Sequence, residues 1–155
     1  MSRKEQPALE SAIAMLSSQH DAVDDMFDDY KKLMDLEASA TKRKALADKI
    51  CKALSDHAEL EETTFYPAAR EALAKDAEDI MDHSDVEHAT LKGLIERIQT
   101  SPGDDPHFDA LVHVMAEYVK HHVEEEEGEM FSELRKVEAD MGDALKQMKA
   151  FKPKG

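Results

Sequence analysis

Apolar side chains recur along this chain at alternating steps of three and four residues. Ile13, Leu16, Val23, Phe27, Tyr30 and Met34 keep that spacing, with His20 in the same register; it marks a helix with one buried stripe. Three further stretches repeat it: Ile50, Leu54, His57, Glu61, Thr64 and Ala68; Met81, Ser84, His88, Leu91, Ile95 and Ile98; and Leu111, Met115, Tyr118, His122, Glu126 and Met130. No stretch shows the strict alternation of a half-buried strand. Turn residues interrupt the pattern near Ala38 to Thr41, Lys75 to Glu78, Thr100 to Asp105 and Asp140 to Asp143. The spacing therefore predicts helices over 8–37, 42–74, 79–99 and 106–140, with room for a short fifth over 142–150.

Local chemistry sharpens two of these limits. Asp105 suits a helix cap and Pro106 a first helical turn, where no amide donor is needed. Pro67 falls inside the second helix, where a kink or an early stop is expected. Short connections make successive helices antiparallel neighbours, so the expected fold is all-α: one up-down-up-down four-helix bundle spanning 1–155.

The stripes carry polar residues where a core asks for apolar ones. Each has a histidine toward its middle, and in an antiparallel bundle His20, His57, His88 and His122 reach a similar height. Two of them belong to a repeated segment, His57-Ala-Glu-Leu-Glu61 and His122-Val-Glu-Glu-Glu126. One helical turn separates histidine from glutamate, which puts both on one face. A buried carboxylate without a partner costs several kcal/mol, so two of them beside four imidazoles call for cations or protons. Four imidazoles and two carboxylates are protein ligands enough for two metal ions. Glu62 and Glu127 are rotated by about 100° from the stripe and read as surface groups or as supports behind the ligands. His107 and His113 have no partner spacing.

Composition narrows the function classes. Five glycines and five prolines in 155 residues fit a helical chain. The net charge of −15 argues against a nucleic-acid partner, since a phosphate backbone is bound by clustered Lys and Arg. No apolar run approaches a membrane span and no signal-peptide pattern opens the chain. The single cysteine, Cys51, fits a reducing compartment, so the cytoplasm is the expected location. The nine methionines read as fillers of core gaps. No nucleophile with an adjacent base and no phosphate-binding loop is present.

The pattern His20, His57-x-x-x-Glu61, His88, His122-x-x-x-Glu126, with the ending Phe65-Tyr66-Pro67, resembles the hemerythrin-like family, the HHE cation-binding domains. The resemblance implies a bundle holding two iron ions bridged by two carboxylates and an oxo or hydroxo group. It departs from the oxygen-carrying members at Ser84, where they have a fifth histidine. His83 is five residues from His88, about 140° around the helix. Carriers also use a His-x-x-x-x-acid spacing on the last helix, which His121 and Glu126 supply. His122 keeps the stripe and matches the first repeat, and His121 is the alternative.

With six ligands, one position on each iron stays open. This favours chemistry with peroxide, dioxygen or nitric oxide over bulk oxygen transport, with Tyr118, one turn from His122, as the residue expected to tune or donate to the oxidant. The family also includes catalase-like members and sensors of iron or oxygen, so a sensing module without turnover is the second expectation. The ferritin-like rival requires Glu-x-x-His pairs, and none occurs here. A metal-free adaptor is the third reading.

Overall fold

A computed structural model describes residues 5–74 and 78–154 of the chain. The helical spacing is realised as α1 (Glu5–Asp35), α2 (Ala40–Leu60), α3 (Tyr66–Leu73), α4 (Glu78–Thr100), α5 (Phe108–Glu125), α6 (Phe131–Lys136) and α7 (Gly142–Ala150). Two wide turns are inserted: π1 (Glu61–Phe65) joins α2 to α3, and π2 (Glu126–Met130) joins α5 to α6. There is no strand among the described residues. The molecule is a helical bundle in which α1 packs on α2 and α5, and α4 on α2 and α5, so antiparallel neighbours close a ring. The short α7 lies against α1 and π1.

Helix ends depart from expectation where local hydrogen bonds rule. Ser39 caps α2, its hydroxyl accepting from Lys42 N at 3.2 Å. Asp105 does not cap a helix beginning at 106. Its carboxylate accepts from His107 N at 2.7 Å and its carbonyl from Phe108 N at 3.0 Å, forming a separate turn that delays α5 to Phe108. The fourth helix stops at Lys136, short of the expected 140, as Glu138 takes a left-handed conformation with φ 51° and Ala139 N bonds back to Leu134 O. Glu37 (φ 53°) ends α1 in the same way. Met34, the last residue of the first stripe, is 42% exposed near that end. Lys75 to Ala77, in the expected second break, lie outside the described residues.

Pro67 causes no stop. It occupies the first turn of α3, directly after π1, where the missing amide donor is tolerated. The equivalent position after π2 is Ser132, so the wide turn does not need a proline.

The apolar core is in two blocks. An upper block gathers Leu9, Ile13 and Leu16 of α1 with Phe65, Met81, Phe131, Leu134 and Met148, while a lower block gathers Val23, Phe27, Ile50, Leu54, Leu91, Ile95, Phe108 and Met115. On α1 the upper residues precede His20 and the lower ones follow it, so a polar layer lies between the blocks. Cys51 is a buried free thiol of the lower block, and burial pushes its pKa up to about 12. It behaves as a small apolar residue.

Candidate metal centre

All six stripe residues reach the layer. Glu61 and Glu126 are 0% and 1% exposed; His20, His88 and His122 are buried and His57 nearly so. His57 Nε2 lies 3.1 Å and His88 Nε2 3.2 Å from Glu61 Oε1. His20 Nε2 lies 3.2 Å from Glu126 Oε1, and His122 Nε2 3.5 Å from Glu126 Oε2. Their donor atoms form two overlapping sets, each within 4.8 Å: His20, His57, Glu61 and Glu126, then Glu61, His88, His122 and Glu126. Both carboxylates belong to both sets. That is the arrangement two cations need to share them.

Five of the donor atoms also lack other partners. His20 Nε2, His57 Nε2, both oxygens of Glu61 and Glu126 Oε1 are buried without a hydrogen bond. Unsatisfied buried polar atoms each cost about 1–3 kcal/mol and are rare in clusters. Imidazole and carboxylate donors suit iron, manganese or zinc, so the residues fit a resident cation pair.

Every imidazole is held from behind through Nδ1, which leaves Nε2 facing inward. Nδ1 of His20 donates to Glu127 at 2.6 Å, that of His88 to Glu62 at 2.9 Å, that of His122 to Glu87 at 2.6 Å, and that of His57 to Gln19 at 2.5 Å. Such partners fix the ring and raise its basicity. The rotation that carried Glu62 and Glu127 off the stripe is what lets them reach neighbouring helices. Gln19 and Glu87 are additions to the sequence reading. Each directly precedes the single histidine of its half, and that shared placement is the signal that marks them.

In the metal-free layer, protons take the place of cations. Burial works against a charged His20, but the hydrogen bond and charge of Glu126, with Glu127 behind, lift it to about 9. His122 rises to about 9 against the same burial, through Glu126 and Glu87. His57 falls to about 4, because burial dominates there and His20 and His122 add repulsion. Burial and the Glu126 charge push Glu61 up to about 8, whereas contacts with Glu61, His122 and His20 outweigh burial at Glu126 and hold it well below the usual carboxylate range.

The tyrosine at the site is Tyr66. Its hydroxyl donates to Glu126 Oε2 at 2.5 Å and lies 3.1 Å from His88 Nε2 and 3.4 Å from His122 Nε2. Tyr118, expected to serve the oxidant, packs partly buried against the lower apolar block. The reason is the wide turn. In a regular helix residue 66 would lie about 140° around from Glu61, but in π1 Tyr66 N bonds to Glu61 O and the side chain returns to the site face. The same shift buries Ala69 in place of the expected Ala68.

His121 is not in the layer: its side chain is 61% exposed and pairs with Glu125 at 2.8 Å. His83 lies outside with it, 3.0 Å from Glu125. His107 and His113 are exposed. Ser84, at the place of the carriers' fifth histidine, is buried and lines a cavity of about 230 Å³ that also borders His83, Glu125 and Met130. A smaller space of about 20 Å³ is lined by all four site histidines with Val23, Leu54, Leu91 and Val119.

Residues 11–134 match the family described as the Hemerythrin HHE cation binding domain. The chain belongs to that family. This HHE domain is 33% identical over 87 residues to a protein named a DNA nickase from Nostoc sp. (strain PCC 7120 / SAG 25.82 / UTEX 2576). The match takes in 56% of this chain and 24% of the relative's length. No solved structure matches. Among the described residues, no helix is long and apolar enough to cross a membrane.

Proposed function

We propose that this HHE domain holds two iron ions through His20, His57, Glu61, His88, His122 and Glu126 and binds or reduces a small oxidant: peroxide, dioxygen or nitric oxide. The observation that carries the reading is the group of five buried donor atoms without hydrogen bonds, drawn from His20, His57 and both shared glutamates. A pair of irons supplies electrons and open coordination positions to such a ligand. The chain supplies the rest.

The space of about 20 Å³ against the four histidines suits one molecule the size of water or a diatomic gas, with Leu and Val side chains excluding bulk solvent. Tyr66 holds a proton at Oη, donated to Glu126, and burial with the two glutamate charges keeps its pKa well above the ordinary phenol value. It is thus a standing donor at the edge of the layer. Ser84, buried on α4, supplies no fifth imidazole to the layer.

Purified full-length chain is expected to contain about two irons and to change its optical spectrum with peroxide. Tyr66→Phe is expected to keep both irons and alter the peroxide response, whereas Tyr118→Phe alters neither. Iron-loaded protein inert to peroxide, dioxygen and nitric oxide overturns the redox reading. The buried acid pair supports a second one, an iron- or oxygen-sensing module ordered by its metal: chelation would then strip helix and protease resistance without turnover in the loaded form. The Nostoc relative's name concerns a much longer protein, and the −15 charge supports a reading without nucleic acid. The buried free thiol supports a reducing, cytoplasmic setting.

A further inference from the structure

Outside the buried layer His83, Glu87 and Glu125 make a second knot of ligating side chains. His83 Nε2 lies 3.3 Å from Glu87 Oε2 and 3.0 Å from Glu125 Oε2, and one donor atom from each of the three falls within 4.8 Å of the others. The carboxylates have no fixed cation. Elsewhere Glu62 holds Lys92, Glu10 holds Arg135 and Asp109 holds Arg43; among the described residues Glu87 and Glu125 pair only with imidazoles.

Glu87 faces both ways. Its side chain is 7% exposed; Oε1 accepts from His122 Nδ1 of the buried layer and Oε2 turns outward to His83. The cavity of about 230 Å³ opens alongside and adds Asp79 and Glu129 to its wall. The other half has nothing comparable, since the positions equivalent to His83, Glu87 and Glu125 are Met15, Gln19 and Leu60.

We infer that His83, Glu87 and Glu125 form a third, outer site for a divalent first-row cation, from which the buried pair is filled. The inference rests on the buried pair being a metal site. One imidazole with two carboxylates is a donor set such ions accept. The acidic wall raises the local cation concentration at the mouth, and Glu87 puts the outer ion one side chain away from His122. The site is open to solvent on the His83 side, so it binds more weakly than the enclosed pair.

Metal-free full-length chain is titrated with Co²⁺ alone, with bound ion counted by calorimetry and filling of the buried pair followed by stopped-flow visible absorption. The parent is expected to take up three ions, the third more weakly. The double variant His83→Ala/Glu125→Gln, altered only at solvent-reaching groups outside the layer, is expected to take up two and to fill them about tenfold more slowly. Two ions in both proteins, taken up at equal rates, overturn the outer site and leave the buried pair standing. No ion bound by the parent overturns both.

Discussion

Around His57 the outer positions are Met15, Gln19 and Leu60; around His122 they are His83, Glu87 and Glu125. Met15 and Leu60 pack into the upper apolar block, and the tail after α7 brings Phe151 and Pro153 over the groove beside His57 and Gln19. Their counterparts stay polar, and His83 and Glu125 line a cavity. The inner ligands obey the repeat while their surroundings do not. The set containing His88 and His122 has two anionic supports, Glu62 and Glu87; the set containing His20 and His57 has one anion and one neutral amide, Glu127 and Gln19. One donor plan thus sits in two electrostatic settings, which makes the two donor sets inequivalent.

The bluntest way to break the comparison is Glu126→Ala, which removes a carboxylate common to both sets. Both ions are expected to be lost in metal analysis. The metal-free chain is expected to lose about 3–5 kcal/mol in denaturant unfolding, since His20 and His122 stay buried without their shared anion. Retention of two ions would sink the shared-carboxylate description.

A finer test exchanges the outer partners. Glu87→Gln is expected to weaken the His88 and His122 set by about 10–100-fold in chelator competition, and Gln19→Glu to tighten the His20 and His57 set. Equal affinities before and after both changes would erase the inequivalence.

Acidity separates the loaded and stripped forms. In the metal-free chain His20 and His122, raised to about 9, contribute stability that is complete below the unfolded value of 6.5 and lost as pH climbs through 9. Glu61, raised to about 8, has the same sign. His57, lowered to about 4, contributes above 6.5 and loses its contribution as pH falls through 4. The stripped chain should therefore show maximal Tm near pH ~6 and decline toward pH 9, while cation-loaded chain, with no proton on these groups, escapes the alkaline decline. A flat profile for the stripped chain contradicts the charge assignment.

The smallest effect lies at Glu37, far from either half of the layer. Glu37→Gly relieves a left-handed residue and is expected to raise stability by a few tenths to about 1 kcal/mol in thermal unfolding, with metal content unchanged.

Most of the bundle could be read from the chain because a buried stripe repeats every three to four residues, and the six residues of the polar layer were visible because each interrupts a stripe with a polar group. Tyr66 was hidden for the same reason. Stripe counting assumes a constant turn, and the π turn after Glu61 carries one residue more, so the count passes over Tyr66 and prefers Tyr118, which keeps the regular phase. Gln19 and Glu87 escaped because they act across helices, where spacing along one helix says nothing. The start of α5 shifted because Asp105 uses its carboxylate in a turn of its own.

The polar layer runs through the waist of the molecule, and each oily block touches it from one side only. Cations seated there act as a rivet through all four long helices. Withdraw them, and what remains across the middle is a belt of histidines and glutamates held by shared protons, whose grip fades as alkali removes those protons.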